Sequence, residues 1–214
     1  AVETNFHEMF PSSSKIKASK MYLEIGYKVS LVYSQENRGA LATKVVHLCP
    51  KTIVSNETDF LLSIRQKNSE SIGLSPESKK PIYAFVGENG KNKMFRVSLK
   101  EDEETYNSKV EVDFNKGGSI SLIMMNVRKN KWKIIRVQML IEDSYMFVKV
   151  SDRTGKKDMI IRNNIEEPIR IFQHKHREDF NQVLLPGEVK EMAWVNPYKD
   201  QKIKTEILEA ANQH

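Results

Sequence analysis

Apolar and polar residues alternate along most of this chain. From residue 20 onward, apolar side chains recur at every second position, as Met21, Leu23 and Ile25 and then Val29 and Leu31. A period of two over this length predicts β-strands with one buried face. The same pattern spans residues 132–141, where one face carries Ile135, Val137, Met139 and Ile141.

Short turns interrupt the alternation every 8–12 residues or so, and no segment of 12 or more residues shows the helical period of 3.6. Examples are Asn37-Arg38-Gly39 and Lys116-Gly117-Gly118. Many short strands separated by turns are typical of β-sandwiches. The pattern therefore predicts an all-β fold.

One strand pattern occurs twice. Ile53-Val54-Ser55-Asn56 precedes Gln66 and then Ala84, and Ile160-Ile161-Arg162-Asn163 precedes Gln173 and then Ala193. The two Asn residues are 107 positions apart, as are the two Gln residues, and the two Ala residues are 109 apart. Such a repeat indicates two modules of one design, which stack as repeat arrays do.

A run of charge divides the two copies. Residues 100–104 read Lys-Glu-Asp-Glu-Glu, which is typical of a solvated linker or sheet edge. We predict two tandem β-sandwich repeats, over residues 16–100 and 101–214. Residues 1–15 have no period and are predicted to form an N-terminal arm.

The repeated residues resemble a known family. An apolar pair before Asn, then Ile-x-Gln and Ala followed by Phe or Trp, is similar to the repeats of the adaptor-binding domain of chorein-type bridge-like lipid-transfer proteins (the vacuolar protein sorting family). The resemblance covers residues 18–210, two of the six repeats of such a domain. Phe85, where the family usually has Trp, and Asn196-Pro197, where an acidic residue usually precedes the Pro, depart from the pattern.

Asn is disfavoured within strands, so its recurrence at one place requires a reason. Asn56 and Asn163 each precede a short polar corner. The amide has both donors and an acceptor, and can bond the backbone where the chain turns. We expect both residues to be structural corners; the resemblance also links Asn163 to adaptor binding.

Composition restricts the functional classes only slightly. Apolar residues make up 39% of the chain, and no apolar run approaches the roughly 20 residues that cross a bilayer. Cys49 is the only cysteine, which favours a reducing compartment. The chain starts at Ala1 without Met, so we expect a fragment of a longer protein. The net charge of +6 favours solubility or an anionic partner surface.

Motifs for catalysis are absent from the sequence. It has no nucleophile elbow and no phosphate-binding Gly-rich loop, so no enzyme and no cofactor are expected. His174 and His176 have no Cys or third His nearby, and no metal site is predicted. Basic residues surround Trp132, but a solvated hairpin tip is commoner than a nucleic-acid site, and no nucleic acid is expected.

The resemblance implies a protein-interaction module. Adaptor proteins on organelle membranes would present short Pro-x-Pro peptides, each adding as a strand to a sheet edge and thereby targeting a lipid-transfer protein to organelle contact sites. The protein would be cytoplasmic, peripheral to these membranes and monomeric. The residues predicted to contact the peptide are Asn163, Ile169, Ile171, Trp194, Met139 and Ile141.

A second hypothesis stays open from the sequence. The excess of basic residues could bind anionic membrane lipids directly, without any adaptor. Such binding would weaken steeply with salt, whereas strand addition would not.

Overall fold

The computed structural model describes residues 21–32, 43–86, 93–142, 145–152 and 159–208, and the predicted N-terminal arm lies outside these ranges. All the regular elements in the described ranges are strands, so the predicted all-β fold is confirmed. No helix long and apolar enough to span a bilayer occurs in these ranges.

Nineteen strands occur in the described residues. The first ten are β1 (Met21–Leu23), β2 (Ile25–Val32), β3 (Thr43–Pro50), β4 (Thr52–Glu57), β5 (Leu61–Arg65), β6 (Ile72–Leu74), β7 (Lys79–Ile82), β8 (Ala84–Val86), β9 (Met94–Glu101) and β10 (Glu104–Ser108). The others are β11 (Val112–Asp113), β12 (Gly118–Asn126), β13 (Lys131–Glu142), β14 (Tyr145–Asp152), β15 (Met159–Arg162), β16 (Ile169–Gln173), β17 (Asn181–Leu184), β18 (Val189–Met192) and β19 (Ile203–Ile207).

Ten strands form one large, nearly closed sheet, which we call the first unit. Its order is β6-β5-β9-β10-β12-β13-β14-β4-β7, and β11 pairs with β9. Neighbours are antiparallel except β14 and β4, which run parallel, with Met146 opposite Thr52 and Val150 opposite Asn56. This parallel pair joins the end of the unit to its beginning.

The apolar side chains of the alternating pattern fill the interior of the first unit. On β13 the buried side chains are Ile135, Val137 and Met139, as the period of two predicts. They share a core with residues from every main strand of the sheet. Phe95 stacks on Phe114 with ring centroids 4.3 Å apart, which adds aromatic packing to the burial.

The boundary predicted between residues 100 and 101 lies inside this sheet. Glu101 pairs with Glu104 across a hairpin whose strands, β9 and β10, are neighbours in the first unit. Asp102 at the turn has a positive φ of 50°, a conformation that Asp tolerates better than most residues. The charge run is therefore a hairpin turn, and residues 104–152 complete the sheet that residues 52–101 begin.

Strands β15–β19 form the second unit, which repeats the beginning of the first. Strand β15 pairs with β18 as β4 pairs with β7, and β16 lies between β17 and β19 as β5 lies between β6 and β9. The registers agree: Ile64 faces Ile72, and Ile171 faces Gln182. No strands equivalent to β10–β14 follow within the described residues.

The second unit packs on the outer face of β12 and β13. A separate apolar cluster there consists of Ile123, Ile134, Phe180, Ala193 and Val195. The Trp132 ring meets Phe180 edge-on at 5.3 Å between centroids. At the rim, Lys109 Nζ lies 3.0 Å from Asp179 Oδ1.

Strands β2 and β3 form a separate antiparallel ribbon, which we call the hairpin. The strands occur where the alternation predicts them. The burial expected on one face is wrong, however: Tyr27 is 65% exposed and Leu48 is 75% exposed. A period of two shows that a strand has two unlike faces, but the apolar face is covered only if another element packs on it.

Candidate functional site

Asn56 lies at a corner where three backbone segments meet. Its Nδ2 donates hydrogen bonds to the carbonyl oxygens of Phe60, Leu74 and Ser75, at 2.8, 3.1 and 3.0 Å. Its Oδ1 accepts from Thr58 N at 3.1 Å and from Thr58 Oγ1 at 2.8 Å. The side chain is fully buried, so its amide replaces water for carbonyls that the turning chain leaves unpaired.

Asn163 occupies the equivalent corner of the second unit. Its Nδ2 donates to Glu167 O at 2.9 Å and to Leu184 O at 3.1 Å, and its Oδ1 accepts from Ile165 N at 3.1 Å. This side chain is also buried. Because the amide forms its hydrogen bonds with backbone groups inside the fold, it shapes the corner and is not itself open to a ligand.

The repeated Gln residues also bond the backbone. Gln66 Oε1 accepts from Val86 N at 2.8 Å, and Gln173 Oε1 accepts from Asn196 N at 2.9 Å. Gln173 Nε2 also donates to Asn196 O at 3.0 Å and to Asp200 O at 3.1 Å. Each Gln thus fixes the segment that follows the repeated Ala.

The residues predicted to contact a peptide do not form one surface. Ile169 and Ile171 are buried in the core of the second unit, together with Leu184 and Met192. Met139 is buried in the core of the first unit. The side chains still open to a partner are Trp194, which is half-buried, and Ile141, which is 76% exposed near the end of β13.

A different feature of the second unit offers backbone groups to a partner. In the described part of the chain, β17 pairs only with β16 and β18 only with β15, so one edge of each strand has no neighbouring strand. Side chains connect these two edges. Gln182 Nε2 donates to Glu191 O at 3.1 Å, and Lys190 Nζ donates to Val183 O at 2.6 Å. We call this the β17/β18 edge.

The hydrogen bond to Glu191 O shows in which direction the main-chain groups of β18 point. In an antiparallel pair, the N–H and C=O of one residue point to the same side. Glu191 O receives a bond from β17, so both main-chain groups of Glu191 point away from β15. Its equivalent in the first unit is Pro81, opposite Ile53 as Glu191 is opposite Ile160, and Pro has no N–H to give to a ladder.

Two buried acceptors lie at this edge without a partner. Gln182 Oε1 and Glu191 Oε1 are both shielded from solvent and accept no hydrogen bond from the described residues. Buried polar atoms are nearly always bonded, so these oxygens require a donor. The first unit has Ile72 and Pro81 at the equivalent positions, so the polar pair is a property of the second unit.

Sequence reasoning missed this pair because neither residue belongs to the repeated motif. The alternation marks Gln182 as an inward position of β17, where a polar side chain is unusual. Aligning the two copies beyond the matched residues would have revealed Gln in place of Ile and Glu in place of Pro.

Three lysines around Trp132 form salt bridges with the acidic run. Lys129 Nζ and Lys131 Nζ lie 2.7 and 3.1 Å from Glu104 Oε1, and Lys133 Nζ lies 2.8 Å from Glu101 Oε2. Hydrogen bonds from Lys129, Tyr106 and Lys131 lower the pKa of Glu104 to about 2.

The hydrogen bond between Glu104 and Tyr106 also shifts the pKa of the phenol. Tyr106 Oη donates to Glu104 Oε2 at 2.7 Å, and this bond, with burial, raises the pKa of Tyr106 to about 12.

The two histidines considered for metal binding serve other contacts. His176 Nδ1 lies 2.7 Å from Asp179 Oδ2, and hydrogen bonds from His176 and Lys109 lower the pKa of Asp179. His174 donates its backbone N–H to Lys202 O at 2.8 Å. Within the ranges that the structure describes, no group of three or more His, Cys, Asp or Glu side chains is placed to hold a metal ion.

Comparison with known proteins identifies a family for this chain. Residues 11–201 match a protein family described as "Vacuolar-sorting associated protein 13, adaptor binding domain". No curated protein matches the chain. The family match covers most of the 214 residues, including both Asn corners and the β17/β18 edge. The chain therefore belongs to the adaptor binding domain family of vacuolar-sorting associated protein 13, a family of binding modules.

Proposed function

We propose that this chain binds short Pro-x-Pro peptides of adaptor proteins by strand addition at the β17/β18 edge. Through such adaptors on organelle membranes, it would target a lipid-transfer protein to contact sites, in the cytoplasm and peripheral to the membrane. The family described as an adaptor binding domain supports an adaptor as the partner. We place the binding site at this edge because the side-chain oxygens of Gln182 and Glu191 lack hydrogen-bond partners.

An extended peptide supplies what this edge lacks. Each non-Pro residue of the peptide brings a backbone N–H, and Gln182 Oε1 and Glu191 Oε1 are buried acceptors that need donors. Glu191 also turns its own N–H toward the open side, where a peptide carbonyl can accept it. Strand addition of this kind derives affinity from main-chain hydrogen bonds.

The Pro residues of the motif fit the same edge. A Pro-x-Pro segment is already extended in solution, so it loses little conformational entropy on docking. Pro lacks an N–H, and one side of an added edge strand needs none. Trp194 follows β18 by two positions and is half-buried, so its ring is available to contact a Pro side chain.

The predicted contact residues take different roles in this proposal. Asn163 holds the corner that positions β17, since it bonds Leu184 O at the end of that strand. Ile169 and Ile171 support the edge from the core beneath it. Met139 and Ile141 lie on β13 of the first unit and take no part in the proposed docking.

Exchanging residues between the two units tests the site. Gln182→Ile with Glu191→Pro gives the second unit the residues that the first unit has as Ile72 and Pro81. A Pro-x-Pro peptide titrated into the whole chain should bind with a dissociation constant below about 100 μM. The exchanged variant should bind at least tenfold more weakly and remain folded, because the first unit accommodates the same pair.

The matched control makes the reverse exchange, Ile72→Gln with Pro81→Glu, and should leave the peptide affinity unchanged. A peptide with Ala in place of both Pro residues controls for the motif. Absence of binding at about 100 μM, or equal affinity in the exchanged variant, would contradict the proposal.

A further inference from the structure

Strand β18 presents alternate residues to its free edge. Where the ladder between β15 and β18 continues, Asn163 N donates to Glu188 O at 2.9 Å, so the main-chain groups of Glu188 point toward the β15 side. The direction of these groups alternates along an antiparallel pair. Lys190 therefore also points toward β15, whereas the N–H and C=O groups of Val189 and Glu191 face a strand that adds at the β17/β18 edge.

An antiparallel peptide strand at this edge would place one residue directly opposite Glu191. That residue would donate its N–H to Glu191 O and accept the Glu191 N–H on its own carbonyl. Glu191 O has two lone pairs, so it can accept from Gln182 Nε2 and from the peptide together. The residue opposite Glu191 needs its N–H and therefore is not Pro.

The two residues beside it in the peptide would lie opposite Lys190 and Met192. Their main-chain groups would point away from β18, just as those of Lys190 point toward β15. Pro is tolerated at such positions of an edge strand, because its missing N–H would have faced outward. Residue x of Pro-x-Pro is therefore the residue opposite Glu191.

This register brings the side chain of residue x beside the Glu191 carboxylate. Side chains directly opposite on paired strands share one face, with their Cβ atoms about 4.5–5.5 Å apart. Glu191 Oε1 is shielded and accepts no hydrogen bond from the described residues. Its neighbour Lys190 bonds Glu188 Oε1 at 2.9 Å and Val183 O at 2.6 Å instead. The single N–H of Pro-x-Pro would be used by Glu191 O, so the donor for Oε1 has to come from the side chain of x.

The first unit lacks this arrangement. In the shared register, Pro81 stands where the second unit has Glu191, and Lys79 stands where it has Val189. A cation at the first unit's edge would repel a basic peptide, and no carboxylate is present at the position of Pro81 to attract one. An acidic residue facing the added strand is thus a property of the second unit.

We propose that the β17/β18 edge selects peptides that carry Lys or Arg at x, the residue between the two Pro residues. The inference rests on the proposed function, because it requires strand addition at that edge. Lys brings three donors and Arg brings five, so either side chain can bond the Glu191 carboxylate. The apolar stem of the basic residue would lie against Val189, which is on the same face as Glu191 and 49% exposed.

The overall charge of the chain acts against such a preference. With a net charge of +6, the molecule as a whole repels a basic peptide at long range. Tighter binding of a Lys-containing peptide would therefore require a local anionic contact, and Glu191 supplies one at the edge.

Three peptides that differ only at x test the inference, when each is titrated into the whole chain by calorimetry. Pro-Lys-Pro should bind about tenfold or more tightly than Pro-Glu-Pro, with Pro-Ala-Pro between them, because opposite charges attract and like charges directly opposite repel. Glu191→Gln should reduce the ratio between the Lys and Glu peptides to less than about twofold. The same variant should leave the affinity for Pro-Ala-Pro within about twofold of the wild-type value.

Reversing the charge gives the sharpest result. Glu191→Lys should bind Pro-Glu-Pro more tightly than Pro-Lys-Pro. The matched control, Glu178→Gln, removes one negative charge at an exposed position between β16 and β17 and should leave the wild-type ratio unchanged. Circular dichroism should show that the variants stay folded, since the first unit accommodates Pro81 at the position of Glu191.

The outcomes separate this inference from the proposed function. If all three peptides bind equally well, strand addition stands and the selection of a basic residue is wrong. A preference for Lys that persists in Glu191→Gln would also overturn the inference, because another acidic group would then be responsible. If none of the peptides binds at about 100 μM, both proposals fail together.

Discussion

At the scale of residues, an asparagine side chain bonds the backbone at the same type of corner in both units. Asn56 and Asn163 each donate from Nδ2 to carbonyls across a corner and accept at Oδ1 from the backbone two residues later. A side chain with only acceptors, such as Asp, could fill half of this network. The repetition of Asn at an interval of 107 residues thus reflects hydrogen-bond geometry.

Replacing Asn163 by Ala should lower the free energy of unfolding by about 1–3 kcal/mol, because buried backbone groups lose their partners. Asn56→Ala should cost at least as much, since Asn56 donates to three carbonyls. Urea unfolding followed by the fluorescence of Trp132 and Trp194 measures the first change. A cost below about 0.5 kcal/mol, the range of ordinary surface substitutions, would contradict this account.

The sequence predicts some of these residues and not others for a physical reason. Alternation reports which side chains face inward, so residues chosen from it, such as Ile169 and Ile171, are buried in the structure. A strand edge is defined by backbone groups, which leave no trace in the pattern of side chains. Gln182 and Glu191 become visible only when the two units are superimposed in register.

At the scale of elements, two hairpin turns distant in sequence meet on the surface. The β9–β10 turn carries the acidic run and the β12–β13 turn carries Lys129 and Lys131, which both bond Glu104. The sequence suggested two separate solvated charge clusters. Strand order brings them together, because β10 and β12 are neighbours in the first unit.

This contact makes stability depend on pH. The folded pKa of Glu104 is lowered from 4.5 to about 2, so the unfolded chain binds more protons between these values. The stabilisation is present above about pH 4.5 and is lost as the pH falls toward 2. Glu104→Gln should flatten the pH dependence in this window, as measured by urea unfolding at pH 2.5, 3.5 and 5.

Glu103→Gln, at the exposed neighbouring position, is the control and should keep the wild-type pH dependence. If Glu104→Gln also retained the full loss of stability between pH 5 and 2.5, the bonds from Lys129 and Lys131 would not be the cause.

The sequence predicts where strands lie along the chain more readily than which strands lie beside each other in the sheet. The period of two predicted β13, and Lys116-Gly117-Gly118 predicted the turn before β12. The parallel pairing of β14 with β4 could not be predicted, since it depends on how the whole sheet curves. A boundary drawn at the charge run therefore divides strands that the fold unites.

At the scale of the whole molecule, the two units share a design and differ in closure. The first unit has its strands around one core, and within the described residues the second has the equivalents of β4–β7 and β9. Leu99 on β9 and Ile207 on β19 face Leu62 and Ile169 in the same register, yet Leu99 is 1% exposed and Ile207 is 62% exposed. Composition cannot reveal this difference, because Leu99 and Ile207 are equally apolar and differ only in what covers them.

Alanine substitution at these two positions should separate the environments. Leu99→Ala should lower the free energy of unfolding by about 2–5 kcal/mol, because it opens a cavity in a closed core. Ile207→Ala should change it by no more than about 0.5 kcal/mol in dilute solution. Thermal and urea unfolding of both variants check the contrast, and similar costs at the two positions would contradict it.

The parallel contact between β14 and β4 also affects how the protein is made. Thr52 faces Met146, so most of the first unit must leave the ribosome before that edge of β4 finds its partner. At 5–20 residues per second, the delay is about 5–20 s. Throughout this interval the nascent chain presents an incomplete sheet with an unpaired strand edge, which is a natural substrate for chaperones during translation.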